Sequence, residues 1–199
     1  MVVTPSTNSS EITNDVSSIS LKSSNLNIHQ AQRLQIQSDD KNLFAIHHFS
    51  NLIIYHQNIR GLSNKIDEVM NSFANVRPHI VCLTEHHLQA DEIMTIYMDN
   101  YLLGSYFCRY RIKQGGVSIF ISKDFIFQDI DLQMIVKEKD LEICALSTHI
   151  SSINLLIICV YRSPTGDFGY FMDHLELTLC RLYKLSINII ICGDFNVNF

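Results

Sequence analysis

From position 51 onward the chain alternates between apolar runs and polar ends, and the spacing of those runs predicts its elements. "LIIYHQN" (Leu52 to Asn58) reads as a strand. "SNKIDEVMNSF" then sets Ile66, Val69, Met70 and Phe73 at helical spacing, with Ser63 or Asn64 as the cap, Asp67 and Glu68 in the early turns and Pro78 marking the end. "HIVCLTE" reads as a second buried strand, so the region opens as a strand-helix-strand unit and predicts an α/β layered fold. "GGVSIFIS" (Gly115 to Ser122) alternates more weakly and predicts a strand near a sheet edge. Leu141 to His149 and Ile153 to Tyr161 are separated only by Ile150, Ser151 and Ser152, which predicts an antiparallel hairpin. A second amphipathic helix follows, with Phe168, Phe171, Met172, Leu175, Leu179 and Leu182 on one face, and leads into the terminal strand "INIIICG".

The first 50 residues carry no such pattern. Ser, Asn, Gln and Thr dominate, and a segment of that composition does not bury enough surface to offset chain entropy, so residues 1–50 are expected to be a disordered leader and 51–199 the domain. No repeat recurs at a fixed period, which excludes solenoids and propellers.

Composition narrows the classes. The formal charge is −5, and residues 51–199 alone hold 12 basic and 16 acidic side chains. Bulk electrostatic gripping of nucleic acid is thereby excluded, and any phosphate contact is local. The longest apolar runs fall well short of the roughly 20 residues that span a bilayer. No signal peptide is visible at "MVVTPSTNSS", and the six cysteines sit mostly inside apolar runs without a C-x-x-C pair. These features predict buried thiols and an intracellular protein, nuclear or cytoplasmic, with no membrane partner.

Polar residues recur at one kind of position. Asn58, Glu85, Tyr161 and the run Asp194-Phe195-Asn196 each fall at the C-terminal limit of a predicted buried strand. Singly, each has an ordinary explanation as a turn, a solvated acid or a half-buried ring. Four strand ends together suit phosphate-ester hydrolysis with a hard divalent cation. Glu85 supplies a carboxylate oxygen for Mg²⁺, Asp194 orients or deprotonates a water, and Asn58 and Asn196 donate amide hydrogen bonds to ligand or neighbouring side chains. Tyr161 offers a phenolic donor to a phosphate oxygen, and Arg162 beside it offers charge. The run "TEHHL" raises zinc at His86, His87 and His56, but adjacent residues on an extended segment face opposite ways and no zinc spacing is present.

Taken in order, "YHQNIRGLSNKIDEV", "HIVCLTEHHL", "GGVSIFIS", "LEICAL", "VYRSPTGDF" and "IICGDFNVNF" resemble the endonuclease/exonuclease/phosphatase superfamily, most closely the apurinic-type endonuclease domain of non-LTR (LINE-like) retrotransposons. The resemblance covers residues 51–199. It implies a four-layer α/β sandwich, two mixed sheets face to face with helices outside, and a Mg²⁺-dependent phosphodiesterase site that also accepts Mn²⁺. It aligns Asn58 with the asparagine of the first block, Glu85 with the metal-binding glutamate, Tyr161 with the active-site tyrosine, and Asp194 and Asn196 with the acid and amide of the G-D-x-N block. Glu142 matches an acidic position of the central block without an assigned role. The implied substrate is DNA, nicked on one strand to prime reverse transcription.

One departure stands out: a later S-D-H-type block, which completes the family's site, is not in this sequence. The chain is therefore expected to be incomplete at the C-terminus and a weak or inactive nuclease by itself. Two other readings stay open, a non-catalytic remnant that binds metal or a partner, and a phosphodiesterase or phosphatase acting on a phosphoinositide, sphingolipid or RNA tail.

Overall fold

The computed structural model describes residues 52–112, 114–150, 153–183 and 188–197. The expected leader, and Ser151 and Ser152 of the hairpin turn, lie outside them. Residues Leu52–Phe199 form one compact unit.

Eight strands make two mixed four-stranded sheets. The first has the order β1-β2-β4-β3, from Ile54–Asn58, Ile80–Thr84, Val117–Ser122 and Tyr101–Phe107; the second has the order β5-β6-β7-β8, from Phe127–Ile130, Glu142–Ile150, Ile153–Tyr161 and Asn188–Asp194. Each sheet contains one parallel pair, β1 with β2 and β7 with β8, and each of those pairs is joined by a helix. Helix α1 (Ile66–Ser72) makes the first crossover and α3 (Phe168–Tyr183) the second; α2 (Ala90–Ile93) is a single turn. Antiparallel strands close on short turns, whereas a parallel pair needs such a crossover.

The helices cover the outer faces. Val69 and Phe73 of the α1 region pack on Val81, Leu83 and Phe120, while Phe171, Leu175 and Leu182 of α3 pack on Ile143, Ile158 and Val160. Strand side chains alternate, so Cys82, Ile119 and Ile121 face inward toward Cys144, Ile157 and Cys159 of the other sheet. The result is the four-layer α/β sandwich. A strand covered on both faces has no solvent side, and Ile80–Thr84 is buried throughout, which is why "HIVCLT" does not alternate.

Several details differ from the sequence pattern. Lys65, not Ser63 or Asn64, occupies the N-cap of α1; no side chain caps the helix, and the Lys65 Nζ donates to the Ile59 carbonyl at 2.8 Å. That helix stops at Ser72, well before Pro78. Strand β4 lies inside its sheet rather than near an edge, with β2 on one side and β3 on the other. Edge strands β3 and β5 are the elements the pattern does not reveal: β3 changes register between Leu103 and Ser105, which breaks its alternation, and β5 has only four residues. On α3 the buried line includes Thr178, while Phe168 and Met172 are exposed. Cys180 is exposed too, unlike the buried Cys82, Cys144 and Cys159.

Candidate active site

The two parallel pairs bring four strand ends together. Asn58 ends β1 opposite Thr84, the last residue of β2, and Glu85 follows; Tyr161 ends β7 opposite Asp194, which ends β8. Edge strands β1 and β8 adjoin each other across the sandwich. Glu85 and Asn196 adopt left-handed backbone, φ 55° and φ 48°, so the chain turns sharply just where each strand delivers its polar group. A non-glycine residue there carries a cost that the surrounding hydrogen bonds must offset.

Asn58 is the hub. Its Nδ2 donates to Glu85 Oε1 at 2.9 Å and to Asp194 Oδ2 at 2.7 Å, joining one carboxylate from each sheet. Glu85 also accepts from the Tyr161 hydroxyl and meets the His87 Nε2 at 3.3 Å through its Oε2. Burial acts to raise the Glu85 carboxyl, but the bonds from Asn58, Tyr161 and His87 outweigh it and hold it below the usual carboxylate value. Burial, together with the Glu85 hydrogen bond and charge, pushes the Tyr161 phenol well above its ordinary range. Tyr161 is therefore a proton-bearing donor at neutral pH and not a base.

This donor set fits a hard divalent cation. The Glu85 side chain is ionised and 19% exposed, and the buried Asn58 Oδ1 has no hydrogen-bond partner. One carboxylate with an amide oxygen leaves the remaining positions to water and ligand, as Mg²⁺ prefers. Zinc would need softer and more numerous ligands, and among the described residues no group of three or more His, Cys, Asp or Glu is arranged to hold a metal. His86 is committed elsewhere: its Nδ1 accepts from the Leu88 amide at 3.0 Å and its Nε2 lies 3.0 Å from the Phe107 carbonyl.

Two expected participants, Asn196 and Arg162, have other partners, and so does Glu142, which carried no assigned role. Asn196 Nδ2 donates to the Arg162 carbonyl at 2.6 Å, and the Asn196 amide donates to Asp194 Oδ1 at 3.2 Å, so this residue closes a loop that orients the acid. The Arg162 guanidinium, expected to offer charge to a phosphate, donates instead to the carbonyls of Phe195 at 3.0 Å, Gly166 at 2.8 Å and Asn196. Its side chain is buried and works as a brace. Glu142 is fully buried and accepts from Arg109, Gly116 and Lys139, out of a metal's reach. His87, raised in the sequence only as a zinc candidate, instead contacts Glu85, and Arg109 stands out in no motif. His87 stands two residues after Glu85, and that spacing was the available signal; nothing local marks Arg109.

Gly193 explains how β8 approaches so closely. Its φ is 154°, and a Cβ at this position would fall on the Val160 carbonyl oxygen of the neighbouring strand. Only glycine lets Asp194 reach its place beside Tyr161.

Among solved structures, the chain resembles the endonuclease domain of TRAS1, a telomere-specific non-LTR retrotransposon, with TM-score 0.54 and 10% identity over 75% of this chain and 61% of that one. It resembles D. rerio TDP2 complexed with single-strand DNA product, with TM-score 0.55 and 17% identity over 74% and 62%. The human Nocturnin catalytic domain gives TM-score 0.53 and 16% identity over 74% and 64%. At these identities the likeness is one of fold, and the chain spans about three-fifths of the length of each. A comparison with curated protein sequences finds no match. The family model "Endonuclease/Exonuclease/phosphatase family" matches residues 55–198, and the chain belongs to that family.

Proposed function

We propose that this chain is a metal-dependent phosphodiesterase domain whose substrate is DNA, nicking one strand as the endonuclease of a non-LTR retrotransposon. The observation that carries the reading is the Asn58 amide shared between Glu85 and Asp194, because it ties a metal-suited carboxylate to a second acid suited to a water. The ordered sequence blocks support the retrotransposon branch, and the fold likeness to the TRAS1 endonuclease domain and to a DNA-bound TDP2 agrees with a DNA substrate.

In this reading Glu85 and the unpartnered Asn58 Oδ1 would hold Mg²⁺, or Mn²⁺ in its place, and the bound cation would supply charge neutralisation and polarisation of the phosphoryl group. Asp194 accepts a proton from the attacking water, kept in orientation by the Asn58 amide on Oδ2 and the Asn196 amide on Oδ1. Tyr161 turns its hydroxyl from Glu85 to a non-bridging phosphate oxygen, where a proton held well above neutral pH is retained as a hydrogen bond. The leaving oxygen has no proton donor of the S-D-H type in this sequence, so the 199-residue chain by itself is a slow nuclease. Loss of a general acid costs about 10² to 10⁴ in rate.

The experiment is nicking of supercoiled plasmid with Mg²⁺ or Mn²⁺ by this chain and by Glu85→Gln, with calorimetric metal titration of both. Slow, metal-dependent nicking and a metal affinity that both fall in Glu85→Gln are expected. Equal metal affinity in the two proteins would reject Glu85 as the ligand. No nicking by this chain, or by one extended through an S-D-H block, would sink the nuclease reading.

A further inference from the structure

Beneath Tyr161 lies a buried ion pair that the proposed chemistry leaves unused. Arg109 is 5% exposed and Glu142 0%, so neither reaches a ligand. The Arg109 Nε donates to Glu142 Oε1 at 2.6 Å, and its Nη2 approaches the same oxygen. The Lys139 amide donates to Oε1 at 2.9 Å and the Gly116 amide to Oε2 at 2.6 Å, so both carboxylate oxygens are satisfied. Burial outweighs the opposing pull of the three donors and raises this carboxyl above its usual value, while the donor geometry, with three groups on its two oxygens, is that of a bound carboxylate. Such a pair is weak evidence for stability, since hydrophobic replacements often serve as well. Its position relative to the site is more telling.

We propose that Arg109 and Glu142 are a positioning pair that fixes the Tyr161 ring and the Glu85 turn relative to each other. Glu142 opens β6 directly opposite Tyr161 in the β6–β7 register. The Arg109 Cζ lies 5.9 Å from the centre of the Tyr161 ring, within cation–π range. Glu142 also anchors the turn at Gly116, and the neighbouring Gly115 carbonyl accepts the His87 amide at 2.9 Å. The Glu85 and His86 carbonyls accept the amides of Gly61 and Leu62 at 2.7 Å and 3.0 Å, which fixes that turn from its other side. One ion pair thus touches the ring that delivers the Tyr161 hydroxyl and the loop that carries Glu85. A hydroxyl that must serve Glu85 and then a phosphate oxygen depends on such support, because an error of about 1 Å costs about 10²-fold. The proposal rests on the nuclease reading for its kinetic consequence and on geometry alone for the positioning itself.

The test uses the full chain with ring-¹³C tyrosine, the Tyr161 signal being assigned with Tyr161→Phe. The paired variant Arg109→Met with Glu142→Gln leaves no unpaired charge in the core and keeps an acceptor for a backbone amide. In the folded paired variant the Tyr161 ring resonance is expected to move while those of Tyr55 and Tyr97 stay. In nicking, kcat falls at least tenfold with KM for DNA within twofold. An unmoved Tyr161 resonance, or an unchanged kcat at parental melting temperature, overturns the proposal. Should the paired variant not fold, the unmodified chain decides: proton contacts between the Arg109 side chain and the Tyr161 ring are expected, and their absence overturns it. A parent that does not nick even when extended through an S-D-H block removes the nuclease reading, and the resonance measurements still decide the positioning.

Discussion

The amide of Asn58 lies 2.7 Å from a carboxylate oxygen of Asp194, 136 residues further along the chain and in the other sheet. The same Nδ2 serves Glu85 at 2.9 Å, so two acids approach one another only because a neutral donor stands between them. Asn58→Asp replaces that donor by a third acid. Hydrogen bonds to charged groups contribute about 1.5–3 kcal/mol each, so the variant is expected to lose about 3 kcal/mol or more in EDTA. Added Mg²⁺ should recover more of the melting temperature in the variant than in the parent. Thermal melts with and without the ion check this, and an equal Mg²⁺ response in both proteins would show that no cation sits between these groups.

Much of this arrangement is legible in the sequence, for a physical reason. Strands buried on both faces leave long apolar runs, and polar groups at their ends stand out, as Glu85 does after "HIVCLT" and Asp194 after "INIIICG". Edge strands carry no such contrast, and β3 and β5 were hidden by a register shift and by shortness. What the site residues touch was less legible. Arg162 follows Tyr161 in sequence and is turned to backbone carbonyls, because its side chain lies inside the loop that Asn196 closes. Arg109 and Glu142 are 33 residues apart and meet only through the pairing of the two sheets.

His86 makes the fold acid-sensitive. Burial, reinforced by the nearby His87 charge, lowers its pKa from the usual 6.5 to about 4, with the hydrogen bond to Phe107 resisting the shift. The unfolded chain therefore binds this proton more tightly than the folded one. Stability from neutral His86 is fully present above pH 6.5 and is lost as pH falls from 6.5 toward 4, by up to about 3 kcal/mol. Denaturant melts across that window should show the slope, and His86→Gln should flatten it. An unchanged slope in a folded His86→Gln would assign the acid sensitivity to other groups.

Two glycines separate backbone need from helix preference. Gly193→Ala would drive a methyl into the Val160 carbonyl at a φ of 154°, and the expected loss is about 3 kcal/mol or more. In α3, Gly169 meets only Asp167 Oδ1 at 3.4 Å, and Gly169→Ala is expected to stabilise by about 0.5–1 kcal/mol. Opposite signs in denaturant midpoints are the predicted outcome. A tolerated Gly193→Ala would mean that β8 stands further from β7 than this packing requires.

Arg162 allows a brace to be told apart from a phosphate contact. Its guanidinium donates to three carbonyls, those of Phe195, Gly166 and Asn196, and the Asn196 side chain returns a bond to the Arg162 carbonyl. Phe195 in turn packs edge-on against Phe171 of α3, so the brace links the Asp194 loop to the outer helix. Lysine keeps the charge but cannot reproduce a planar fork serving three acceptors. Arg162→Lys should therefore lower stability by about 2 kcal/mol or more, since buried carbonyls are left without donors. Where it stays folded, kcat should fall through a displaced Asp194 while KM for DNA and its salt dependence hold. A side chain that gripped phosphate would behave differently, raising KM and reducing the salt slope by about one when removed. Measuring KM over a range of salt for Arg162→Lys and Arg162→Met decides between them; a shallower salt slope at parental stability would make Arg162 a phosphate ligand after all.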